Sequence, residues 1–280
     1  MIGSLNNVSD LLAQRILQQN RMAMDQALYR MATGQRINRA ADDPAGLIAT
    51  TSLSATLAAL QAETEVNQRA SAIANTADAA LGQVSDLLIQ AKSLATANAN
   101  DAGLSTEEKQ ANQLEIDSIV SSVDRIADTT SFNGHKLLDG TGVITSPVSK
   151  QNIGSSSSSD LGQIQVDGQN YTLSDVRSGK NLATTGSNSA SASQSIDAAI
   201  NQVATIRAQI DAYSKNTIQS NLSMIATSRD RMLTTISLRQ DADMTVESTA
   251  RTRAQILGQA SIRLLAQSRT TRGSLLNLLA

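Results

Sequence analysis

The chain has no Cys, no Trp, one Phe and one His among its 280 residues. Without Cys there is no disulfide framework, thiol nucleophile or zinc–cysteine site, and His135 alone cannot build a His-rich metal centre. With Phe132 and three Tyr as the only aromatics, small and aliphatic side chains must carry the packing. No run of about 18 apolar residues is present, which predicts that nothing spans a membrane. The opening Met1-Ile-Gly-Ser-Leu-Asn-Asn-Val lacks a basic n-region and a continuous apolar h-region, so export would not use a cleaved secretory signal. At a net charge of −2, bulk attraction to nucleic acid is not expected. No cluster of acids and bases marks a catalytic pocket. The sequence therefore predicts a non-enzyme that takes no cofactor.

Charge is unevenly placed. Residues 1–42 hold five Arg against three acids, and 239–280 hold six Arg against three, while 43–238 hold twelve basic and nineteen acidic residues. All six Lys lie in that middle segment. Arg suits a cation that must make several directed hydrogen bonds in a packed interface, so Arg-only ends point to burial between subunits.

What the chain has in plenty is heptad periodicity. Val66, Ala70, Ile73, Ala77, Ala80, Val84, Leu87, Ala91 and Leu94 step by four and three over four heptads, the seam of a long helix lying along other helices. Ile196, Ala199, Val203, Ile206, Ile210, Tyr213, Thr217, Ser220, Met224 and Thr227 repeat the pattern in the other half. The expected fold is mostly α: an elongated antiparallel long-helix bundle, coiled-coil-like, with a small β/loop outer insert and both termini as paired helices.

In chain order, Leu5, Val8, Leu12, Ile16, Met24, Leu28 and Met31 mark an amphipathic first helix that Gly34 should stop. Asp43 before Pro44 is an N-cap with Pro at the first helical position. The pattern from Leu47 to Leu60 slips phase before Val66, as a stutter does, and the helix should fray near 98–103. Ser105-Thr-Glu-Glu108 is a capping box opening a third helix with Ile116, Ile119, Val123 and Ile126 on one stripe. Asn133-Gly134 and Asp139-Gly140 are turn dipeptides, with His135 an exposed turn residue between them. From 141 to 193 the composition turns polar. Ser155, Ser156, Ser157, Ser158 and Ser159 read as flexible linker, and Gln163–Leu173 alternates around Asp167-Gly168 as a hairpin. Asp241, Asp243, Thr245 and Glu247 have calcium-loop spacing, but Val246 and Thr252 stand where Gly and Glu are needed, so no metal is expected. The last helix offers Val246, Ala250, Leu257, Ala260 and Leu264, and the chain ends in Leu275, Leu276, Leu278 and Leu279. Such a tail is an assembly surface.

Three motifs carry a resemblance. Met31-Ala-Thr-Gly-Gln-Arg-Ile-Asn-Arg-Ala-Ala-Asp-Asp-Pro-Ala-Gly-Leu47, Phe132-Asn-Gly-His-Lys-Leu-Leu-Asp-Gly140 and the C-terminal run from Ala254 through Leu264-Leu-Ala-Gln-Ser268 to Ala280 resemble those of bacterial flagellins, in the same order, over about residues 1–140 and 191–280. The resemblance implies a subunit that polymerises into the flagellar filament for motility, with terminal helices ordered only by packing in the filament core. Its expected divisions are a terminal assembly helix and linker at 1–42, core rod helices at 43–140, a variable outer insert at 141–193, a returning core helix at 194–238 and a second assembly helix at 239–280. Leu5, Leu12, Ile16, Leu28, Arg36, Asn38, Asp42, Asp43, Leu257, Leu264, Leu275, Leu276, Leu278 and Leu279 are the implied assembly residues. Implied partners are further copies of itself, the flagellar cap and hook-junction proteins and an export chaperone, with no nucleic acid and no membrane. The implied location is the extracellular flagellum, reached through the flagellar export system without a cleaved signal peptide. Ser155 to Ser159 become possible glycosylation sites. The hook–filament junction protein of the same superfamily, which shares the terminal helices and often an Asp-Asp-Pro, is the alternative. Many flagellins engage an innate immune receptor through two Arg two residues apart; Gln83 and Ser85 stand there, while Glu115 matches the acidic position on the next helix. Losing two charge-assisted bonds of about 1.5–3 kcal/mol each predicts weak or no receptor activation.

Overall fold

The computed structural model describes residues 2–100, 103–185 and 188–279, with side chains described from residue 10 to 271. Six helical segments appear in order: α1 (Ile2–Thr33), α2 (Pro44–Asn98), α3 (Thr106–Thr129), α4 (Ser189–Tyr213), α5 (Ser220–Gln240) and α6 (Met244–Leu279). Between α3 and α4 lie three short antiparallel hairpins: β1 (Ser131–Phe132) with β2 (His135–Lys136), β3 (Val143–Thr145) with β4 (Lys150–Asn152), and β5 (Ile164–Val166) with β6 (Gln169–Tyr171). The chain divides into two compact units, one of Leu60–Thr227 and one of the segments on either side. The phase slip expected after Leu60 falls at the boundary between them.

In the Leu60–Thr227 unit, α2 buries Asn67, Ala70, Ala74, Ala77, Leu81, Val84, Leu88, Ala91, Ala95 and Asn98. Every second expected position (70, 77, 84, 91) is buried as anticipated. Ile73, Ala80, Leu87 and Leu94 are only partly covered, Val66 is exposed, and the deepest residues are their C-terminal neighbours. The cause is a stripe wider than a two-helix seam: α3 meets α2 where Asn112 Nδ2 donates to Asn98 Oδ1 (2.8 Å), and α4 meets it antiparallel through Arg207–Asp78 (2.7 Å) and Lys92–Asp197 (2.5 Å). Two residues per heptad are fully buried, with Ile73, Ala80, Leu87 and Leu94 partly covered beside them.

The second seam holds from Ile196 to Tyr213 and then breaks. A π-helical turn, Ser214–Gln219, inserts one extra residue, so the buried side chains downstream are Ile218, Asn221 and Ile225, while Ser220, Met224 and Thr227 are exposed. A π-turn shifts helix phase by one residue. Here the shift exchanges a Thr/Ser/Met face for one that buries two Ile.

The polar insert is more ordered than its composition suggests. Ile144, Ile153, Leu161, Leu173, Val176 and Leu182 are buried in one cluster with the helices. The serine run is a fixed loop, not a linker, because Asp124 of α3 accepts from Ser158 N (2.8 Å) and Ser158 Oγ (2.9 Å), and Arg177 also donates to that carboxylate. Ser156 and Ser158 are buried, Ser155 and Ser157 half-buried, and Ser159 exposed. Serines that compete for backbone hydrogen bonds fold readily around a carboxylate, and Asp124 lies 34 residues from the Ser158 donor. At the α2–α3 turn a buried network links Asn98 Nδ2 to Thr184 Oγ1 (2.8 Å), and Thr184 N and Oγ1 both donate to Gln113 Oε1. Asn98 therefore anchors the helix end where fraying was expected. Asn133 and Asp167, both with φ of 50°, make the two expected hairpin turns. The β3–β4 hairpin had no sequence signal; Tyr213 Oη holds it by donating to the Ser149 carbonyl (2.6 Å).

One stretch of α2 is long and apolar enough to cross a membrane by length and composition alone, although it holds no continuous run of about 18 apolar residues.

The phase argument predicts that deleting exposed Lys215 converts the π-turn to α-helix while keeping Ile218 and Ile225 inward, with stability changed by less than about 1 kcal/mol. Deleting Thr205, exposed in regular helix, rotates Ile206, Ile210 and Tyr213 outward and costs about 2–5 kcal/mol per large residue displaced. Thermal melts that rank the two deletions the other way would refute the phase shift.

Candidate assembly interface

The unit formed by the two ends of the chain pairs α1 with α6 antiparallel. Ser268 Oγ donates to Asp10 Oδ1 (2.6 Å) near one end, and Arg30 meets Glu247 (3.3 Å) near the other. Along α1 the covered positions are Asp10, Ala13, Leu17, Asn20, Met24, Ala27 and Met31, with Arg30 beside the last; along α6 they are Glu247, Ala254, Gly258, Ser261, Leu265 and Ser268. These step by threes and fours (247 to 254 is one heptad), so the pairing is a coiled-coil seam. Its residues are mostly small or polar, which lets the helices approach closely.

Of the expected apolar stripes, Met24 and Met31 lie in this seam, and the others whose side chains are described lie beside it. Leu12 is 54% exposed, Ile16 38%, Leu28 40%, Leu257 46% and Leu264 61%. On α6 the expected positions 246, 257 and 264 each precede a seam residue by one, so the intrachain contact uses 247, 258 and 265 and leaves the leucines outward. The two ends do pair, as expected, but their pairing does not hide their largest apolar side chains. An apolar groove of 490 Å³ beside the seam is lined by Asn20, Ala23, Val246, Ala250, Arg253 and Leu257, among others. Leu5, Leu275, Leu276, Leu278 and Leu279 lie outside the residues whose side chains are described.

Arg36, Asn38, Asp42 and Asp43 converge in the segment joining α1 to α2. Gly34, with φ of +70°, ends α1, and the chain then pairs with the α5–α6 link: Arg36 N donates to the Gln240 carbonyl (2.7 Å), Ala242 N to the Gly34 carbonyl (2.8 Å) and Arg36 Nη2 to the Arg239 carbonyl (2.7 Å). Asn38 Nδ2 donates to the Gln35 carbonyl (2.7 Å). Asp42 Oδ2 accepts from Asn38 N (3.1 Å) and Arg39 N (3.0 Å), and these backbone donors hold its carboxyl below the usual carboxylate range. Asp43 Oδ1 caps α2 by accepting from Gly46 N (2.8 Å), and a side chain at Gly46 would meet Asp43 Oδ2 at 2.3 Å. Asp243 caps α6 through Thr245 N and Val246 N, which likewise lower its carboxyl pKa. A lowered folded-state pKa contributes stability above the ordinary carboxylate value that is lost as pH falls through the lowered one. All four predicted polar residues thus bond within the chain, fixing where α2 and α6 begin. Sequence reading missed the Arg30–Glu247 pair and Arg39 over the Tyr29 ring (5.4 Å); the first joins residues 217 apart, and no local pattern announces it.

In the other unit, Gln83 and Glu115 are exposed and Ser85 is half-buried, while His135 is exposed on β2. Among the described residues no group of three or more His, Cys, Asp or Glu is placed to hold a metal.

Residues 5–142 match the family described as "Bacterial flagellin N-terminal helical region" and residues 193–279 the "Bacterial flagellin C-terminal helical region". The chain is 30% identical over 277 residues to the flagellin of Listeria monocytogenes, covering 95% of each. It is 28% identical to the flagellar filament 30.7 kDa core protein of Treponema maltophilum, covering 98% of this chain and 99% of that one. It is also 28% identical to the flagellin of Bacillus subtilis, covering 98% of each. A solved structure of FliC from Burkholderia pseudomallei aligns over 52% of this chain and 99% of its own at 17% identity, with a TM-score of 0.42. The Listeria and Bacillus flagellins, with the two family matches, favour a filament subunit over a hook–filament junction protein. With heptad helices at both ends, paired through small residues and turning their leucines outward, the chain belongs to the bacterial flagellin family, structural subunits that polymerise into the extracellular flagellar filament.

Proposed function

We propose that the exposed apolar stripes of α1 and α6, including Leu12, Ile16, Leu28, Leu257 and Leu264, are where subunits join in the filament core. The observation that carries this is the one-residue offset on α6: Glu247, Gly258 and Leu265 face α1 while Val246, Leu257 and Leu264 beside them stay open. Full burial of a Leu or Ile side chain contributes about 1.5–3 kcal/mol, so several per subunit can drive association that a monomer leaves unused. A contact between unlike patches whose rotation does not close yields a helical filament. Leu5, Leu275, Leu276, Leu278 and Leu279 are proposed as further assembly residues on the flagellin resemblance of their sequence. Arg36, Asn38, Asp42 and Asp43 support it indirectly by fixing the helix starts.

The family also supports export as an unfolded chain without a cleaved signal peptide, delivery by an export chaperone, and contacts with the flagellar cap and hook-junction proteins. Ser159 is the serine of its run that a glycan could reach, since Ser156 and Ser158 are buried. Gln83 and Ser85 in place of paired arginines support weak or absent signalling through the innate immune receptor.

Two outcomes test this reading. Removal of 239–280 leaves the Leu60–Thr227 unit folded by circular dichroism but unable to extend filament seeds; filaments grown from that truncation alone would overturn the role of α6. In a receptor reporter assay, purified monomer gives no response at nanomolar concentration, and potent signalling there would contradict the Gln83/Ser85 argument.

A further inference from the structure

The first hairpin borders a cavity of 390 Å³ in the Leu60–Thr227 unit. Arg69 of α2 and His135 and Lys136 of β2 line it, with Phe132, Ile73 and Val143 supplying apolar wall. No carboxylate is among its lining residues. Lys136 is paired with Asp128 (2.8 Å), but Arg69 and His135 are exposed and their side chains make no hydrogen bond or ion pair with the described residues. The wall is built rather than loose: Leu137 and Leu138 are buried beneath it, Leu137 N donates to the Thr130 carbonyl (3.0 Å), and Gly142 passes so close that a Cβ there would meet the Leu137 carbonyl oxygen at 2.0 Å. The same unit carries seventeen acidic residues against ten basic ones, and Glu65, Glu107 and Glu115 are exposed and unpaired among the described residues. Packing such units side by side brings like charge together, which costs energy unless cations meet carboxylates across the contact.

We infer that this cavity is an intersubunit contact that takes an acidic side chain from the Leu60–Thr227 unit of a neighbouring copy, with Arg69 and His135 donating to its carboxylate. The inference rests on the polymerising role described above. Arg offers a planar fork matched to a carboxylate, and His135 adds a second N–H donor at the opposite strand position from Phe132.

The test is seeded elongation of full-length chain, followed by light scattering, for wild type, Arg69→Glu/His135→Glu and the neutral Arg69→Gln/His135→Gln. Wild type elongates, the reversed pair elongates at least about tenfold more slowly, and the neutral pair falls between them; unchanged monomer melting excludes misfolding as the cause. Reversed variants that elongate like wild type would overturn the contact. Equal loss in the reversed and neutral pairs would overturn the carboxylate assignment, since shape and not charge would then be at work. If elongation is insensitive to both substitutions while free glutamate or sulfate shifts the His135 imidazole proton resonances, the cavity is a small-anion site and the contact is overturned. Failure of wild type itself to elongate seeds would count against the polymerising role, a separate result.

Discussion

Close packing through alanine, glycine and serine is the constraint on which this chain depends. With no Trp and a single Phe, aromatic rings do not thicken the core, and the helices bury Ala70, Ala74, Ala77, Ala91 and Ala95 on one side and Ala192 and Ala199 on the other beside aliphatic residues such as Leu81, Leu88, Ile196 and Ile210. The same logic at the chain ends covers Ala13 and Ala27 on α1 and Ala254, Gly258 and Ser261 on α6. A seam of small residues fixes helix distance tightly but contributes little apolar area. Stability must then come from length, from polar anchors such as the Asn98–Thr184–Gln113 network, and from further surfaces left for other copies.

That constraint also explains what could be read in advance. Helix starts and stops were legible because their chemistry is local: Asp43 capping a Pro-initiated helix, the Ser105–Glu108 box, Gly34 in a left-handed conformation. The choice of which stripe faces inward was less so. Heptad patterns of apolar residues mark a helix surface about 100° wide, and a one-residue shift within it separates Leu257 and Leu264, which are open, from Gly258 and Leu265, which are covered. Which side of the stripe wins depends on the approach distance the partner allows, and that is not a local property. The π-turn at Ser214–Gln219 was hidden for a related reason: the sequence offers an unbroken Thr/Ser/Met continuation, and only burial of Ile218 and Ile225 selects the other phase.

Polar composition misled in one place. Five serines in succession fit a linker by composition, yet Asp124 and Arg177 fold them into a loop that closes over buried leucines. A carboxylate far away in sequence decided the outcome. The same holds for the α1–α2 link, whose Arg36 and Asp42 serve the chain's own geometry and prepare the apolar stripes without forming them.

The account's central claim is that the leucines beside the terminal seam become buried only between subunits. Because the chain has no Cys, a single Leu264→Cys substitution places one thiol on that stripe. Its rate of maleimide labelling in monomer and in seeded filament is the most direct measurement. The account predicts fast labelling in the monomer and loss of at least about tenfold in the filament; equal rates in both states would contradict it.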